Sequence, residues 1–286
     1  MNSINPVIET FGDVVMYTFS PWNPPNPALP QEIMPGNFYA SVRPLELLLE
    51  HPDKRVVCNV DVDVFDDYSH LISSYDGDRL RLSGHYLNMF GVLRRCLFEM
   101  IATTPEILWV LRTRHPENII SMVAAASNAN RSFDFTRNVC LGVVVSNRDE
   151  SDILLTSLLD LGSFSRLRMV EVEKLSLPIV LRCNPYDMSR PSCANKTSAD
   201  YANCLSGEVP GIPGYVLEKA RVDWVWVSGV MGDESASLLA MDCSDSGVPV
   251  LFRGWYSDGG EKVDCPLLSN LQGFPTIDLR DSRIIK

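Results

Sequence analysis

The sequence lacks several features that would place it in a well-marked class. No apolar run approaches the ~20 residues that a membrane-spanning helix needs. The first residues (MNSINPVIETFGDVV) lack the basic segment and apolar core of a signal peptide. There is no G-x-G-x-x-G after the first predicted strand and no Walker loop, so dinucleotide and P-loop nucleotide sites have little support. We therefore expect an intracellular, cytoplasmic protein without a membrane partner.

Positive charge is also scarce. The chain carries 25 Lys and Arg against 36 Asp and Glu, a formal net charge of −11. An acidic surface repels phosphate, so non-specific nucleic-acid binding is not expected. We interpret the densest basic runs, Arg94-Arg95 and Arg112 with Arg114, as solvated charges at helix and strand ends. The hydrophobic content of 45% is sufficient for a sizeable core.

The eight cysteines include no C-x-x-C pair. Three lie in apolar runs that predict strands or a helix, and we expect them to be buried reduced thiols: Cys58, Cys96 and Cys140. Three others fall in one polar loop: Cys183, Cys193 and Cys204. We interpret these as ordinary loop cysteines, because structural metal sites usually hold at least one closely spaced pair. A disulfide and a metal site are the alternatives.

Short apolar runs rich in β-branched residues alternate with helical patterns. The runs predict strands at 13–20, 54–60, 106–113, 138–146, 166–173, 222–229 and 248–254. The helical patterns cover 85–104, 115–127, 146–162 and 233–247. This order predicts parallel βαβ units and an α/β fold, a full or partial (β/α) TIM-type barrel, with an open doubly wound sheet as the alternative. We expect one domain over residues 1–286, with a loop-rich insertion around 184–214.

The stretch from Pro21 to Ala40 holds six prolines in twenty residues. Each proline removes a backbone donor and fixes φ, so this stretch predicts a long loop and neither a helix nor a central strand. Long loops in compact domains are often functional. No side chain in the stretch has an obvious catalytic role.

Several motifs resemble a phage- and prophage-associated family with a three-cysteine motif, whose members are regarded as radical-SAM-like barrels. The matching segments, which span roughly Thr18 to Tyr256, are Trp22-Asn23-Pro24, Tyr39-Ala40, Asn59 with Asp63 and Phe65, Thr113–Glu117, Asn138–Val145 with Asn147, Asp223–Val230, Gly247-Val248-Pro249 and Phe252–Trp255. The resemblance implies a cofactor site at the mouth of a barrel. Its residues here would be Asn59, Asp63, Thr113, Arg114, Asn147 and Glu173.

The departures from that family concern its chemistry. The three motif cysteines are replaced by Ala28, Pro35 and Phe38, none of which can bind iron. Other polar family positions hold Val230, Ser146, Arg253 and Gly254, whereas Glu173 still matches a family carboxylate. The resemblance therefore implies a barrel without an Fe–S cluster and without a catalytic residue. The prolines of the Pro21–Ala40 stretch would then stiffen a loop that a metal would otherwise hold.

Four groups of residues allow both a functional and a structural interpretation. The carboxylates after the second predicted strand suit a hard cation or a solvated helix-capping turn, and we favour the turn: Asp61, Asp63, Asp66 and Asp67. His115 suits acid–base chemistry, but we favour a polar residue before a helix that starts at Pro116. A buried Glu173 could hold a ligand amine or ribose, but we favour an ion pair or a hydrogen-bonded carboxylate. For Trp224 and Trp226 we favour core packing over a base-stacking platform.

Three hypotheses about function follow. The first is a catalytically degenerate relative of the radical-SAM-like family that acts as a binding or structural phage-type protein, self-assembling or binding another protein, in the host cytoplasm or with the virion. The second is an enzyme that keeps a small-molecule or SAM-like site at the barrel mouth without a cluster. The third is a cluster rebuilt from loop cysteines: Cys183, Cys193, Cys204 and Cys265.

Overall fold

The computed structural model describes residues 6–22, 43–67, 80–127, 132–162, 164–173, 175, 179–183, 202–208, 220–230, 233–253 and 273–275, with backbone alone at 80–89 and 233. The fold is mixed α/β, and most neighbouring strands are parallel, as predicted. The chain divides into two compact units, Met1–Val139 with Leu279–Lys286 (unit 1) and Cys140–Asp278 (unit 2).

Unit 1 contains four strands and three α-helices in its described part. The strands are β1 (Val7–Phe11), β2 (Val14–Phe19), β3 (Arg55–Val60) and β4 (Ile107–Thr113). The helices are α1 (Arg43–Glu50), α2 (Leu80–Thr103) and α3 (Ile119–Ala126), with a 3₁₀ turn at Pro116–Asn118 before α3. Pro116 stands at the start of that turn, where its missing N–H costs no hydrogen bond.

The strands of unit 1 lie in the order β1-β2-β3-β4. β2, β3 and β4 are parallel, and Thr18 of β2 lies beside Asn59 of β3. β1 is antiparallel to β2, so the prediction of parallel strands is wrong for this pair. The reason is the tight turn at Gly12, whose φ of 55° suits glycine and reverses the chain between two adjacent strands.

The core of unit 1 is centred on Phe98 of α2. Its ring makes edge-on contacts with Phe133 at 5.6 Å and with Phe135 at 5.0 Å between centroids. Asn138 lies buried nearby, and its Nδ2 donates to the carbonyls of Ile101, Thr104 and Ile107 at 2.9–3.1 Å. One amide thus binds the end of α2 to the start of β4, where helical and strand hydrogen bonding both stop.

Unit 2 contains four parallel strands in the order β5-β6-β9-β10: β5 (Val139–Val145), β6 (Leu167–Val172), β9 (Trp224–Val227) and β10 (Val250–Phe252). Val144 lies beside Glu171, Glu171 beside Trp226, and Trp226 beside Leu251. A separate antiparallel ribbon joins β7 (Arg182–Cys183) to β8 (Ala202–Asn203). All four residues of β9 are buried, as expected for a parallel strand covered on both faces.

Two helices lie in the described part of unit 2, α4 (Arg148–Asp160) and α5 (Asp233–Asp245). Gly162 follows α4 with a φ of 58° and Gly247 follows α5 with a φ of 68°. Both are helix ends in the left-handed region that favours glycine. The helical patterns predicted over 146–162 and 233–247 therefore end at the glycines that follow α4 and α5.

The seven predicted strands are all present, each to within two residues at either end. β1, α1 and the β7–β8 ribbon were not predicted. Most of the predicted insertion at 184–214 lies outside the described residues, and the single-domain prediction stays a prediction. No described helix has the length and apolar character needed to cross a membrane.

Candidate functional site

Four of the six predicted cofactor-binding residues lie in unit 1, at or just after the carboxyl ends of its parallel strands. Asn59 is in β3, Asp63 follows β3, Thr113 ends β4 and Arg114 follows it. Carboxyl ends of adjacent parallel strands meet at one edge of a sheet, which is where ligands bind in α/β proteins. The structure therefore brings these four residues to a common edge.

Asp63 binds backbone amides of its own fold. Its Oδ1 accepts from the Phe65 N–H at 3.0 Å, and its Oδ2 accepts from the Arg114 N–H at 2.9 Å. Burial raises the pKa of this carboxyl, although both amides and the Thr113 side chain act to lower it. The predicted turn interpretation of the aspartate group fits Asp63, whose side chain closes an Asx turn and ties β3 to β4.

Thr113 and His115 also serve the local backbone. Thr113 is 1% exposed, and its Oγ1 accepts from the His115 N–H at 2.8 Å. The His115 ring, which is 39% exposed, lies with Nδ1 3.2 Å from a carboxylate oxygen of Glu117. His115 immediately precedes the turn that starts at Pro116, as the structural interpretation of this histidine expects, and its acid–base role stays a prediction.

The loop after β3 is held from several sides. Arg94 of α2 donates to the carbonyls of Val64 and Asp66, and Asn118 Nδ2 donates to the Phe65 carbonyl at 3.1 Å. Arg94 is 8% exposed, so its interpretation as a solvated surface charge is wrong. A buried guanidinium whose donors bind backbone carbonyls fixes the conformation of a loop.

Asn59 differs from its neighbours at this edge. It is fully buried, and its Nδ2 donates to Thr18 Oγ1 at 3.2 Å. Its Oδ1 is buried as well and has no hydrogen-bond partner within the described part of the chain. A buried acceptor without a donor costs about 1–3 kcal/mol, and such groups occur where a ligand or water supplies the donor.

The other two predicted residues, Asn147 and Glu173, lie in unit 2. Asn147 is the N-cap of α4, and its Oδ1 accepts from the Glu150 N–H at 3.0 Å. Glu173 is exposed and accepts from the Ser146 hydroxyl at 2.8 Å. The expectation of a buried Glu173 is therefore wrong, because the residue lies one position beyond β6, where the strand has left the core. Its alternative as a hydrogen-bonded carboxylate is confirmed.

Near the carboxyl ends of the unit 2 strands, Glu171 is a buried carboxylate that the sequence analysis did not select as a site residue. Glu171 is 4% exposed and accepts a hydrogen bond from the Ser228 hydroxyl. On the neighbouring strand, Trp226 carries the Arg253 guanidinium over its ring at 5.2 Å. Trp224 and Trp226 are both fully buried and meet edge-on at 5.0 Å, which confirms core packing. The available signal for Glu171 was a carboxylate between Val170 and Val172, within the apolar part of the strand.

Two of the three loop cysteines, Cys183 and Cys204, are not ordinary loop residues. Cys183 is 1% exposed and its thiol donates to the Ala220 carbonyl at 3.8 Å, and Cys204 is fully buried. Burial raises the pKa of the Cys204 thiol. The remaining members of the rebuilt-cluster hypothesis, Cys193 and Cys265, lie outside the described residues. Among the described residues, no three His, Cys, Asp or Glu side chains are grouped so that they could hold a metal ion.

The positions of the three motif cysteines also lie outside the described residues. Ala28, Pro35 and Phe38 offer no side-chain ligand to iron, so the residues present do not fit the cluster that the family resemblance implies. The rigid-loop hypothesis for the Pro21–Ala40 stretch concerns the same residues and stays a prediction.

Comparisons with protein-family models, with curated proteins and with solved structures found no match. The resemblance to the radical-SAM-like family therefore rests on the quoted motifs alone.

Proposed function

We propose that this protein is a non-catalytic binding or structural protein, a degenerate relative of the radical-SAM-like barrels without an Fe–S cluster. On this proposal the parallel strands form a partial (β/α) barrel. The protein assembles with itself or with another protein in the cytoplasm of a phage host or in association with the virion. Radical chemistry would need three thiolate ligands, and the sequence holds Ala28, Pro35 and Phe38 in their place.

The main observation behind this proposal is that the Asp63 carboxylate binds backbone amides of the protein itself. Both of its carboxylate oxygens accept backbone N–H groups, and Thr113 and Asn147 likewise cap backbone amides. Side chains that bind a cofactor need acceptor atoms directed at the ligand. Here those atoms stabilise a loop and a helix start, which is what a scaffold requires.

Metal analysis after anaerobic reconstitution with iron and sulfide tests the absence of a cluster. We expect less than stoichiometric iron and no Fe–S absorbance. The double variant Cys183→Ser/Cys204→Ser is the matched control, because it removes thiols that could collect iron without the family motif. One cluster per chain in the wild type would overturn the proposal. Native mass spectrometry tests self-assembly, and a strictly monomeric mass would leave only the heterologous partner.

A second candidate function, an enzyme or binding protein that keeps a small-molecule site, is favoured by Asn59 Oδ1. This atom is fully buried and lacks a donor among the described residues. A ligand N–H or O–H at the carboxyl edge of unit 1 would satisfy it, at a site where α/β proteins bind ligands.

Calorimetric titration with S-adenosylmethionine, compared between wild type and Asn59→Leu, tests this candidate. Binding by the wild type and loss of binding in Asn59→Leu, with unchanged or higher stability, supports a ligand role. Loss of stability in Asn59→Leu with no binding by either protein contradicts the SAM form of this candidate and favours the scaffold.

A further inference from the structure

A cavity of about 640 Å³ lies in unit 2, at the edge of its sheet opposite to Asn147 and Glu173. Its lining includes Arg168 near the start of β6, Asp223 just before β9 and Pro249 just before β10. These positions mark the amino ends of three adjacent parallel strands. The volume falls within the ~300–1,000 Å³ of small-molecule sites.

One part of the cavity is charged. Arg168 and Arg221 contribute two guanidinium groups to the lining, and Asp223 contributes the only carboxylate among the described lining residues. Arg168 Nε lies 3.6 Å from Asp223 Oδ2, and the Arg168 side chain is 16% exposed. Arg221 donates to the carbonyls of Leu205 and Ser246, which orient its guanidinium but carry no full charge. Guanidinium groups held in place by such contacts are suited to carboxylates and phosphates.

Other lining residues of the cavity are apolar and include Val248, Pro249 and Phe274. Phe274 packs against Trp224 with ring centroids 5.2 Å apart. The adjacent Gly273 donates to the Val250 carbonyl at 2.7 Å and accepts from Trp224 Nε1 at 3.0 Å. A Cβ at this glycine would stand 3.0 Å from the Pro249 Cβ. These contacts hold Gly273 and Phe274 closely against β9 and β10, so that the Phe274 ring has a fixed position in the lining.

We propose that this cavity binds a small organic anion with a flat apolar body, an aromatic carboxylate or phosphate ester. The anionic group meets the guanidinium groups of Arg168 and Arg221, and the ring packs against Phe274 and Pro249. A pocket whose lining combines apolar side chains with a few charged groups is the usual form of such sites. The proposal uses the amino edge of unit 2 and is independent of the function proposed for the carboxyl edge.

Calorimetric titration with benzoate and with phenyl phosphate tests the proposal, with benzyl alcohol as the uncharged control. We expect a dissociation constant on the order of 1 mM for at least one anion, as suits so small a ligand, and much weaker binding of the alcohol. The preferred anion separates the carboxylate from the phosphate form.

Two tryptophan variants on one helix locate the binding. Ser244 is an exposed residue of α5 that lines the cavity, so Ser244→Trp fills it and should abolish binding. Ser237 is also exposed on α5 but does not line the cavity, so Ser237→Trp should bind like wild type. Asp223→Asn removes the like charge while keeping the side-chain shape, and should tighten anion binding about threefold.

Three results would overturn the proposal. The first is no heat from either anion at concentrations on the order of 10 mM. The second is undiminished binding in folded Ser244→Trp, which would place the ligand elsewhere. The third is weaker anion binding in Asp223→Asn. This result would refute the proposal even if Ser244→Trp does not fold.

Discussion

Replacing Asp63 by alanine separates a structural from a ligand-binding role for this carboxylate. The change removes the acceptors of two backbone N–H groups, those of Phe65 and Arg114, at 3.0 and 2.9 Å. Leaving a partly buried donor unsatisfied costs about 1–3 kcal/mol, so leaving two donors unsatisfied costs about twice as much before any offset. Relief of the buried charge offsets part of this, since burial raises the pKa of Asp63. We expect a net loss of about 2–3 kcal/mol in the free energy of unfolding.

Urea unfolding followed by tryptophan fluorescence measures this change. Asp61→Ala is the matched control, because Asp61 lies in the same loop, is 39% exposed and forms an ion pair with Arg112 at 3.1 Å. Asp61 is the solvent-exposed partner of this pair and Arg112 is 12% exposed, so the control should lose about 1 kcal/mol, less than Asp63→Ala. If Asp63→Ala is as stable as the wild type, or more stable, the structural role is refuted. Residues kept for function at a cost in stability behave in that way.

Three further predictions concern stability. Because the folded state holds a proton on Asp63 more tightly than the unfolded chain, its contribution to stability falls as pH rises from about 3.9 through the raised pKa. The stability difference between wild type and Asp63→Asn should therefore shrink over that range and stay constant above it, and a pH-independent difference in urea melts would contradict this. Asn138→Asp places a carboxylate against three carbonyls in a buried site and should lower the free energy of unfolding by at least about 3 kcal/mol. A thermal midpoint near that of the wild type would show that the Asn138 amide does not stabilise the junction of α2 and β4. Among the described residues, no atom would contact a Cβ added at Gly91 or Gly162. Gly91→Ala in α2 should therefore stabilise by about 0.5–1 kcal/mol, whereas Gly162→Ala, at a φ of +58°, should destabilise by about 1 kcal/mol. Equal shifts of the two variants in thermal melts would refute the φ argument.

The strands were predictable from sequence because their side chains are buried on both faces. Runs such as Val139–Val145 need no alternation, and their β-branched residues end where polar residues begin. β1 was missed for the opposite reason. Its residues VIETF are mostly exposed, so the segment has no continuous apolar run and is recognised only through its pairing with β2.

The candidate site was predictable in position but not in use. The sequence placed polar residues at strand ends, and the structure has them there. Whether Asp63 faces a ligand or the Arg114 amide depends on a contact across 51 residues, which no local pattern contains. The same holds for Glu171 and Glu173. They lie two positions apart, and the first is buried and the second exposed because β6 ends between them, at Val172.

The buried thiols of Cys183, which ends β7, and Cys204, which follows β8, allow the opening of the β7–β8 ribbon to be measured kinetically. Neither sulfur can meet a reagent in solution until the ribbon opens, since both side chains are buried. Their alkylation rates in native conditions therefore report the free energy of that local opening, and Cys58 in the sheet of unit 1 provides a second, separate reading. A ribbon that opens well before β3 would form its own cooperative unit.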